Sequence, residues 1–575
     1  MAEEHGRRPA ASGVVALSIL VLAVAVGPER PPRVGGIVTD AASNPVPGAT
    51  VRLQATATAT TTDEQGRFSI DVPRLGNRVR LTAWAEGYYI SGGEEHAIGD
   101  EVLLVLTPLH PGDDPGYEWL SYRSRAGPAG TEGEDLGCAA CHSRDANGVE
   151  ADLPVDQWLE DAHGNSASNP RFLSMYLGTD VLGNASPPTR FVERRDYGLV
   201  PLRPDPALPY FGPGYRLDFP ESFGNCAACH TPAASIGDPY GVNPSTVTGV
   251  AAEGIGCDFC HKIWAVLLEP GTGLPFPDRP GVLSFEFRRP PEGSQFFGGP
   301  FDDVAPGADT YVPVMSESAF CAPCHHAAFW GIPIYDSYGE WLASPYSDPE
   351  TGRTCQDCHM PPGGASTFAV PAAGGLERDP AGIPGHLMPG AADEALLGEA
   401  LQMTVEASRT GGLVEVRVTV RNETTGHHVP TDSPLRHVIL LVGATGDEGP
   451  LELIEGPVLP AWCGEGDPGS GRYAGMPGRA YAKILEELWT GVSPTGAYWN
   501  QTRVVSDNRI PAMGSDTTVY QFSAPESSVA IEVTLLFRRA YIDLADQKGW
   551  GAADIVMGTA SLTVPSGAEA PDAGG

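Results

Sequence analysis

Cys138-Ala-Ala-Cys141-His142 is the first of five copies of one pattern, Cys-x-x-Cys-His, in a chain of 575 residues. The other four copies are Cys226-Ala-Ala-Cys229-His230, Cys257-Asp-Phe-Cys260-His261, Cys321-Ala-Pro-Cys324-His325 and Cys355-Gln-Asp-Cys358-His359. Chance would place on the order of 0.01 such copies in a chain of this composition, so the repeat is a specific signal. These motifs decide how the middle of the chain is organised.

The chemistry of the motif predicts covalently bound haem. The two thiols add to the vinyl groups of the macrocycle, and the following histidine ligates the iron from the proximal side. We therefore predict five haem c groups, held by the ten motif cysteines and by the proximal ligands His142, His230, His261, His325 and His359. Structural zinc would use the cysteine pairs two at a time and gives no reason for the histidine, and a thioredoxin-like site needs one motif rather than five.

The histidines outside the motifs are candidates for the second ligand on each iron. A haem with one protein ligand keeps an open position, whereas a haem with two mainly passes electrons. Neighbouring side chains diverge, so we expect His326 to reach a different haem from His325, and at most one of His427 and His428 to face any given iron. The predicted distal ligands are His163, His326, His386, His427 and His428. We expect His437 to pack in a strand.

Spacing along the chain suggests how the haems group. The second and third motifs start at residues 226 and 257, and the fourth and fifth at 321 and 355. We therefore expect two close haem pairs, with the first haem near one end. The eleventh cysteine, Cys463, is expected to be a buried thiol.

Charge and composition exclude several classes of function. The chain carries 36 basic and 72 acidic side chains, a formal net charge of −36 that repels phosphate backbones, so we expect no nucleic-acid partner. Its 71 glycines and 55 prolines favour short strands, turns and long connections over helical bundles. No set of residues indicates a catalytic site.

The first 27 residues predict export. Arg7 and Arg8 precede an apolar run from Val14 to Val26, and the small residues around Ala23 and Ala25 suit a signal peptidase. The run is shorter than the roughly 20 residues that span a bilayer, so we predict a cleaved signal peptide over residues 1–27 rather than an anchor. The mature protein is then expected in the periplasm, at the cell surface or outside the cell.

Strand patterns flank the motif region and predict a multidomain fold. Alternating strands separated by turn signals predict a β-sandwich over residues 33–109. Residues 110–400 are expected to form a mostly irregular and α-helical pentahaem cytochrome c domain. A second β-sandwich is expected over residues 401–565, with a loop-rich insertion at about 456–514, and it would contribute distal histidines. Residues 566–575 are expected to be a frayed tail.

Residues 33–109 resemble the carboxypeptidase regulatory-like domain. The likeness lies in Gly36-Ile-Val-Thr-Asp40, Pro45-Val-Pro-Gly-Ala-Thr-Val-Arg-Leu53, Thr62-Asp-Glu-Gln-Gly-Arg-Phe68 and Glu86-Gly-Tyr88. The resemblance implies a transthyretin-like module without catalytic residues, acting as a spacer or docking element.

Residues 115–440 resemble multihaem c-type cytochromes of the family that includes octahaem tetrathionate reductases and cytochrome-c-554-like electron carriers. The similar segments are Glu253-Gly-Ile-Gly-Cys-Asp-Phe-Cys-His-Lys-Ile263, Glu340-Trp-Leu-Ala-Ser344, Cys355-Gln-Asp-Cys-His-Met-Pro361, Trp158 to His163 and the Gly-His-His-Val-Pro-Thr stretch at 426–431. The resemblance implies stacked and perpendicular haem pairs with mostly bis-histidine ligation. This chain has five motifs and no Cys-x-x-Cys-Lys, so the lysine-ligated catalytic haem of the reductases is absent.

The sequence thus predicts an exported pentahaem cytochrome that transfers electrons between redox partner proteins, which would be other cytochromes or a membrane quinone-linked complex. We expect an electron carrier rather than an enzyme. Two alternatives stay open. One is an oxidoreductase with one open haem that acts on a small nitrogen or sulfur compound, and the other is a self-assembling subunit of an extracellular conductive filament or complex.

Overall fold

The computed structural model describes residues 31–73, 77–123, 137–144, 149–551 and 553–566. The predicted signal peptide and the predicted tail from residue 567 onward lie outside the described residues. No helix within these described ranges is both long enough and apolar enough to cross a membrane.

The N-terminal region folds as two sheets around one core, which confirms the β-sandwich. Its strands are β1 (Arg33–Asp40), β2 (Thr50–Leu53), β3 (Ala59–Thr61), β4 (Arg67–Asp71), β5 (Arg78–Trp84), β6 (Ser91–Ala97) and β7 (Glu101–Leu106). One sheet has the order β4-β1-β7 and the other β3-β2-β5-β6. Strands such as β7 alternate exposed and buried residues, so one face of each sheet enters the shared core.

A glycine permits the closest approach within this core. A Cβ on Gly36 in β1 would lie 2.0 Å from the backbone oxygen of Val102 and 2.9 Å from the ring of Phe68. Strand β1 runs between β4 and the parallel strand β7 at this point. Any side chain here would force the three strands apart.

The central region consists of short elements joined by long connections. Its helices are α1 (Ala139–His142), α2 (Pro154–Glu160), α3 (Pro170–Leu177), α4 (Tyr215–Asp218), α5 (Ala227–His230), α6 (Pro232–Ser235), α7 (Cys257–Cys260), α8 (Ala322–His325), α9 (Ser337–Leu342), α10 (Cys355–His359) and α11 (Glu394–Ala400). Its strands form four small pairs: β8 (Phe191–Arg194) with β9 (Gly198–Pro201), β10 (Ile263–Val266) with β11 (Phe285–Phe287), β12 (Gly298–Gly299) with β13 (Thr310–Tyr311), and β14 (Ala327–Phe329) with β15 (Ile332–Tyr335).

The C-terminal region contains two larger sheets that face each other across the main hydrophobic core. Its strands are β16 (Gln402–Thr410), β17 (Leu413–Arg421), β18 (His437–Gly446), β19 (Gly449–Pro450), β20 (Leu453–Glu455), β21 (Gly478–Tyr481), β22 (Lys483–Glu487), β23 (Thr502–Asp507), β24 (Ser515–Ser523), β25 (Val529–Arg538) and β26 (Ile555–Val564), with helix α12 (Ile542–Lys548) before the last. One sheet has the order β16-β17-β24-β20. The other has the order β19-β18-β25-β26, with β21 also paired to β18.

The segment expected to be a loop-rich insertion contains regular structure. Strand β21 extends the second large sheet, and β22 and β23 form a hairpin of their own. Ala497 and Trp499 from this segment pack with Met175 of α3 and Leu544 of α12 in a separate apolar cluster. The segment therefore joins the C-terminal sheets to the central region.

The N-terminal sandwich packs against residues 296–311 of the central region. Arg52 pairs with the carboxylate of Asp302 at 2.9 Å, and the backbone N–H of Ala55 donates to Asp303 at 2.7 Å. The Asp303 carboxylate also accepts two hydrogen bonds from Arg378, at 2.8 and 3.1 Å. This one buried carboxylate connects the sandwich to the segment that follows the fifth motif.

Candidate metal centres

Each of the five motifs lies on a single helical turn, formed by α1, α5, α7, α8 or α10. In the first four, the backbone N–H of the histidine donates to the carbonyl of the first cysteine at 2.9–3.1 Å. Residues three and four apart share one face of a helix, so both thiols and the imidazole of a motif lie on the same side. All ten motif cysteines are free thiols and partly buried.

The proximal imidazoles of three motifs are oriented by backbone carbonyls. The Nδ1 atoms of His142, His261 and His359 lie 2.6, 2.6 and 2.7 Å from the carbonyl oxygens of Phe368, Gly298 and Pro389. A carbonyl can only accept, so Nδ1 carries the proton and the Nε2 lone pair is left for a metal. In the fourth motif, His325 Nδ1 lies 3.5 Å from the carboxylate of Asp432.

Three of the histidines outside the motifs have the same kind of support. His163 Nδ1 donates to Asp161 at 2.7 Å, and His326 Nδ1 donates to Asp336 at 2.8 Å. His427 Nδ1 donates to the carbonyl of His428 at 2.9 Å. His428 Nδ1 itself lies 3.3 Å from the buried carboxylate of Glu340. Carbonyls and carboxylates on the second ring nitrogen are typical partners of metal-ligating histidines.

Three motif histidines face a histidine from elsewhere in the chain. The ring centres are 6.5 Å apart for His261 and His386, 6.3 Å for His359 and His427, and 6.2 Å for His325 and His163. A metal–imidazole bond is about 2.0–2.1 Å and the ring centre lies about 1.1 Å behind the nitrogen, so two imidazoles opposite each other on one ion have centres about 6.3 Å apart. All three pairs match this spacing.

Burial lowers the pKa of three of these six imidazoles, whereas at His325 the hydrogen bond and charge of Asp432 outweigh the effect of burial and raise the pKa. Desolvation lowers the pKa of His386 to about 4, and it lowers the pKa of His261 and of His359 as well. The Nδ1 of His386 is buried without a hydrogen-bond partner in the described part of the chain. Neutral imidazole is the form that binds iron, so the donor set fits haem held between a motif histidine and a second histidine.

The two remaining motif histidines have different neighbours. His230 stacks face to face on Phe172, with ring centres 3.7 Å apart, and His142 lies 6.4 Å from the ring of Phe368. Within the described ranges, neither faces a second imidazole at the spacing of the other three pairs. His326 instead lies against Asp336, which caps the start of α9, and His428 lies against Glu340 within α9.

His437 and Cys463 are packing residues, as expected. His437 is fully buried, with its ring between Tyr541 and Trp462 at 5.2 Å from each. Cys463 is buried in a small apolar cluster with Ile439 and Leu459.

Thiols from different motifs approach one another in an order that differs from the sequence spacing. Hydrogen-bonding contacts join Cys138 to Cys257, Cys229 to Cys324, and Cys321 to Cys355. The fourth and fifth motifs are neighbours, as the sequence spacing suggested. The second motif, however, contacts the fourth, and the third contacts the first, because the long connections between motifs fold back.

The carboxylates that orient the histidines are the functional residues that sequence reasoning missed. Asp161 accepts from His163 and also from the backbone N–H of Met388, two residues after His386. Glu340 lies between His428 and the buried Arg509, 2.6 Å from the latter. The Asp-x-His spacing before His163 was a usable signal, and Glu340 begins one of the segments that resemble multihaem cytochromes, whereas Asp432 had no signal of its own. In the described part of the chain, no three or more His, Cys, Asp or Glu side chains converge as a metal cluster.

Comparison with known proteins gives one family match. Residues 33–99 match the carboxypeptidase regulatory-like domain, in agreement with the resemblance of that region. No curated protein matches the chain.

Several solved structures, including the following two, are similar to parts of the chain. A penta-heme cytochrome c552 from Thermochromatium tepidum is 17% identical, with a TM-score of 0.49, over 74% of this chain and 97% of that one. A type II cohesin-X-dockerin complex from Acetivibrio cellulolyticus is 19% identical, with a TM-score of 0.11, over 13% of this chain and 52% of that one.

Proposed function

We propose that this chain is an exported pentahaem c-type cytochrome that carries electrons between redox partner proteins. The observation that carries the proposal is the spacing of the three imidazole pairs, each of which joins a motif histidine to a histidine distant in sequence. Haem bound at such sites supplies reversible one-electron transfer at its iron. Two strong protein ligands favour this role over binding of a substrate.

The chain's own residues have three tasks in this proposal. The cysteine pairs would anchor each macrocycle, and the motif histidines together with His163, His386 and His427 would supply nitrogen ligands to the iron. The carbonyls and Asp161 fix the orientation of these rings and increase their donor strength. Haem surfaces would take the place of a conventional apolar core among the short helices.

The acidic surface bears on the choice of partner. A net charge of −36 favours encounter with basic redox proteins and repels other acidic ones. We propose other cytochromes or a membrane quinone-linked complex as the partners, in the periplasm or at the cell surface. The N-terminal sandwich, which packs tightly on the central region, would serve as a spacer or docking element.

The proposal is tested by spin state and carbon monoxide binding. The oxidised holoprotein, matured in a host that attaches haem c, should show low-spin electron paramagnetic resonance signals from the haems of the third, fourth and fifth motifs. In the reduced protein, carbon monoxide should not displace the histidines of those three haems at concentrations that saturate an open haem. His386→Ala should create one high-spin haem that binds carbon monoxide, whereas His110→Ala, at an exposed position in the chain, should change nothing. A His386→Ala variant with an unchanged spectrum would contradict the assignment.

A second candidate function is an oxidoreductase that acts on a small nitrogen or sulfur compound. It is favoured by His230 and His142, which have Phe172 and Phe368 beside them and, among the described residues, no second imidazole at the spacing of the other pairs. It predicts that the reduced wild-type protein binds carbon monoxide at one or two of its five haems. That result would favour the enzyme over the carrier.

A further inference from the structure

We infer that Arg171, Arg436 and Arg539 form a carboxylate-binding site beside the second motif, and that its ligands are the propionate groups of the haem attached to Cys226 and Cys229. The inference rests on the proposed function. It assigns a role to three arginines that pair poorly within an acidic protein.

Helix α3 places the first arginine next to the second motif. Phe172 stacks on His230 at 3.7 Å, and Arg171 is its neighbour in the chain. The Arg171 guanidinium lies 5.4 Å from the ring centre of Trp550. Trp550 belongs to the apolar cluster that also contains Leu435 and Ala540, which precede Arg436 and follow Arg539. The three arginines therefore emerge around one cluster.

A tyrosine pair connects the same cluster to the first thiol of the motif. Tyr335 and Tyr498 share a hydrogen bond of 2.6 Å between their hydroxyl groups. Both interact electrostatically with Cys226, and Tyr498 also interacts with Arg436. Arg171 is thus connected to the His230 side of the second motif through Phe172, and Arg436 is connected to the Cys226 side through Tyr498.

The three guanidinium groups lack adequate counter-charges. Among the described residues, no carboxylate lies within ion-pair distance of Arg171 or Arg539. The nearest carboxylate to Arg436 is Asp432 at 4.0 Å, which also accepts from the backbone N–H of Ser337 and lies against His325. Acidic side chains outnumber basic ones by 72 to 36, so carboxylates were available in the sequence but are not used here.

The cluster of three arginines is electrostatically unfavourable as long as no anion is bound to it. Burial and repulsion from Arg539 and Arg436 lower the pKa of Arg171 to about 10, and burial and repulsion from Arg436 lower the pKa of Arg539. Arginine binds carboxylates through two parallel hydrogen bonds, and partial burial strengthens that interaction. A bound haem brings two carboxylates to each motif, so the missing counter-charge would arrive with the cofactor.

The same chemistry would also bind a free oxyanion, and the test separates the two sources. In the holoprotein, a spectroelectrochemical titration of Arg171→Gln or Arg539→Gln should shift one haem of five, because losing a cation disfavours reduction. At fixed potential we expect about a tenfold increase in the oxidised-to-reduced ratio of that haem, about 59 mV for one electron. Arg171→Lys, which keeps the charge, should recover most of the shift.

The control variant is Arg417→Gln, on the exposed face of β17 beside Glu415, which should leave the potentials of all five haems unchanged. Unshifted potentials in both cluster variants would overturn the inference. So would a wild-type potential that responds saturably to added inorganic phosphate, because that indicates a free-anion site. If the variants yield no holoprotein, an experimental structure of the wild-type holoprotein decides: propionate oxygens beyond hydrogen-bond reach of all three arginines would overturn it. Absence of haem from the wild type would instead refute the proposed function.

Discussion

At the scale of single residues, Asp161 links two of the candidate metal centres. Its carboxylate is 3% exposed and accepts hydrogen bonds from the ring of His163 and from the backbone N–H of Met388. Asp161→Asn would weaken the donor strength of His163. Partners of this kind change metal affinity by about 10–100-fold. Carbon monoxide should therefore displace His163 from the haem at the fourth motif at a correspondingly lower concentration in the variant than in the wild type. Equal carbon monoxide titrations for variant and wild type would contradict the role.

A second residue predicts a pH dependence of stability. Burial raises the pKa of Asp309 to about 6, against about 3.9 for an aspartate in an unfolded chain. Between about pH 4 and pH 6 the native state holds a proton that the unfolded state has released, so the free energy of unfolding falls as the pH rises through this window.

Asp309→Asn should remove that slope and gain up to about 2–3 kcal/mol of stability above pH 6. The asparagine oxygen can still accept from the backbone N–H of Phe297, a bond of 3.0 Å in the wild type. Denaturant unfolding of both proteins at several pH values measures the difference. Parallel stability profiles would show that the carboxyl group is ionised in the fold.

Sequence reasoning identified the candidate ligand residues but could not pair them. The motif chemistry identifies His261 and His359 as candidate ligands. Because neighbouring side chains diverge, His427 and His428 are not expected to face the same iron. The partners His386 and His427 depend on connections that bring distant segments together, and neither spacing nor composition encodes that geometry. For the same reason, the position of His326 against Asp336 could not be foreseen.

At the scale of elements, one buried lysine holds several segments together. Lys548 at the end of α12 is fully buried and donates to the carbonyls of Ser174, Thr179 and Pro213 at 3.0, 2.9 and 2.6 Å. The first of these carbonyls belongs to α3, which carries Phe172. The ammonium group therefore anchors the helix beside the second motif to the C-terminal region.

Lys548→Met should destabilise the protein by about 3–5 kcal/mol, because three buried carbonyls lose their donor. Asp543→Asn on the same helix, where the carboxylate is 71% exposed, should cost less than about 1 kcal/mol. Denaturant melts of the two variants measure both effects. A small loss for Lys548→Met would mean that water replaces the ammonium group.

Elements with clear alternation were predictable and others were not. Strands β1, β2 and β5 carry the expected pattern, and the N-terminal sandwich follows from them. Strand β6 (Ser91–Ala97) lacks a strong alternation of apolar and polar residues, so its pairing with β5 depends on tertiary context. The hairpin β22–β23 was not predicted, because its segment is rich in glycine and proline and that composition favours loops.

At the scale of the whole molecule, the N-terminal sandwich is fixed to the central region through Asp303. Asp303→Asn would leave Arg378 buried beside a neutral partner and weaken the contact with Ala55. We expect a loss of about 3–5 kcal/mol in the free energy of unfolding, since a buried charge loses its counter-ion. Asp205→Asn, at an exposed turn, is the matched control. Limited proteolysis that releases the sandwich from the variant alone would support the role of this contact.

The acidic character of the whole chain predicts a salt effect on partner exchange. With a net charge of −36, the rate of electron exchange with a small basic cytochrome should fall about tenfold or more between low and physiological ionic strength. An acidic electron acceptor should show the opposite trend. Stopped-flow mixing at several salt concentrations measures both. Rates independent of salt would show that the acidic surface takes no part in docking.

The central claim, that the five motifs carry covalent haem, is tested most directly by the intact mass and absorbance of the purified mature chain. We predict a mass increased by five haem groups and an intense Soret band that survives acid–acetone extraction, since thioether bonds hold the macrocycles. A colourless chain with the mass of the unmodified polypeptide would contradict the account.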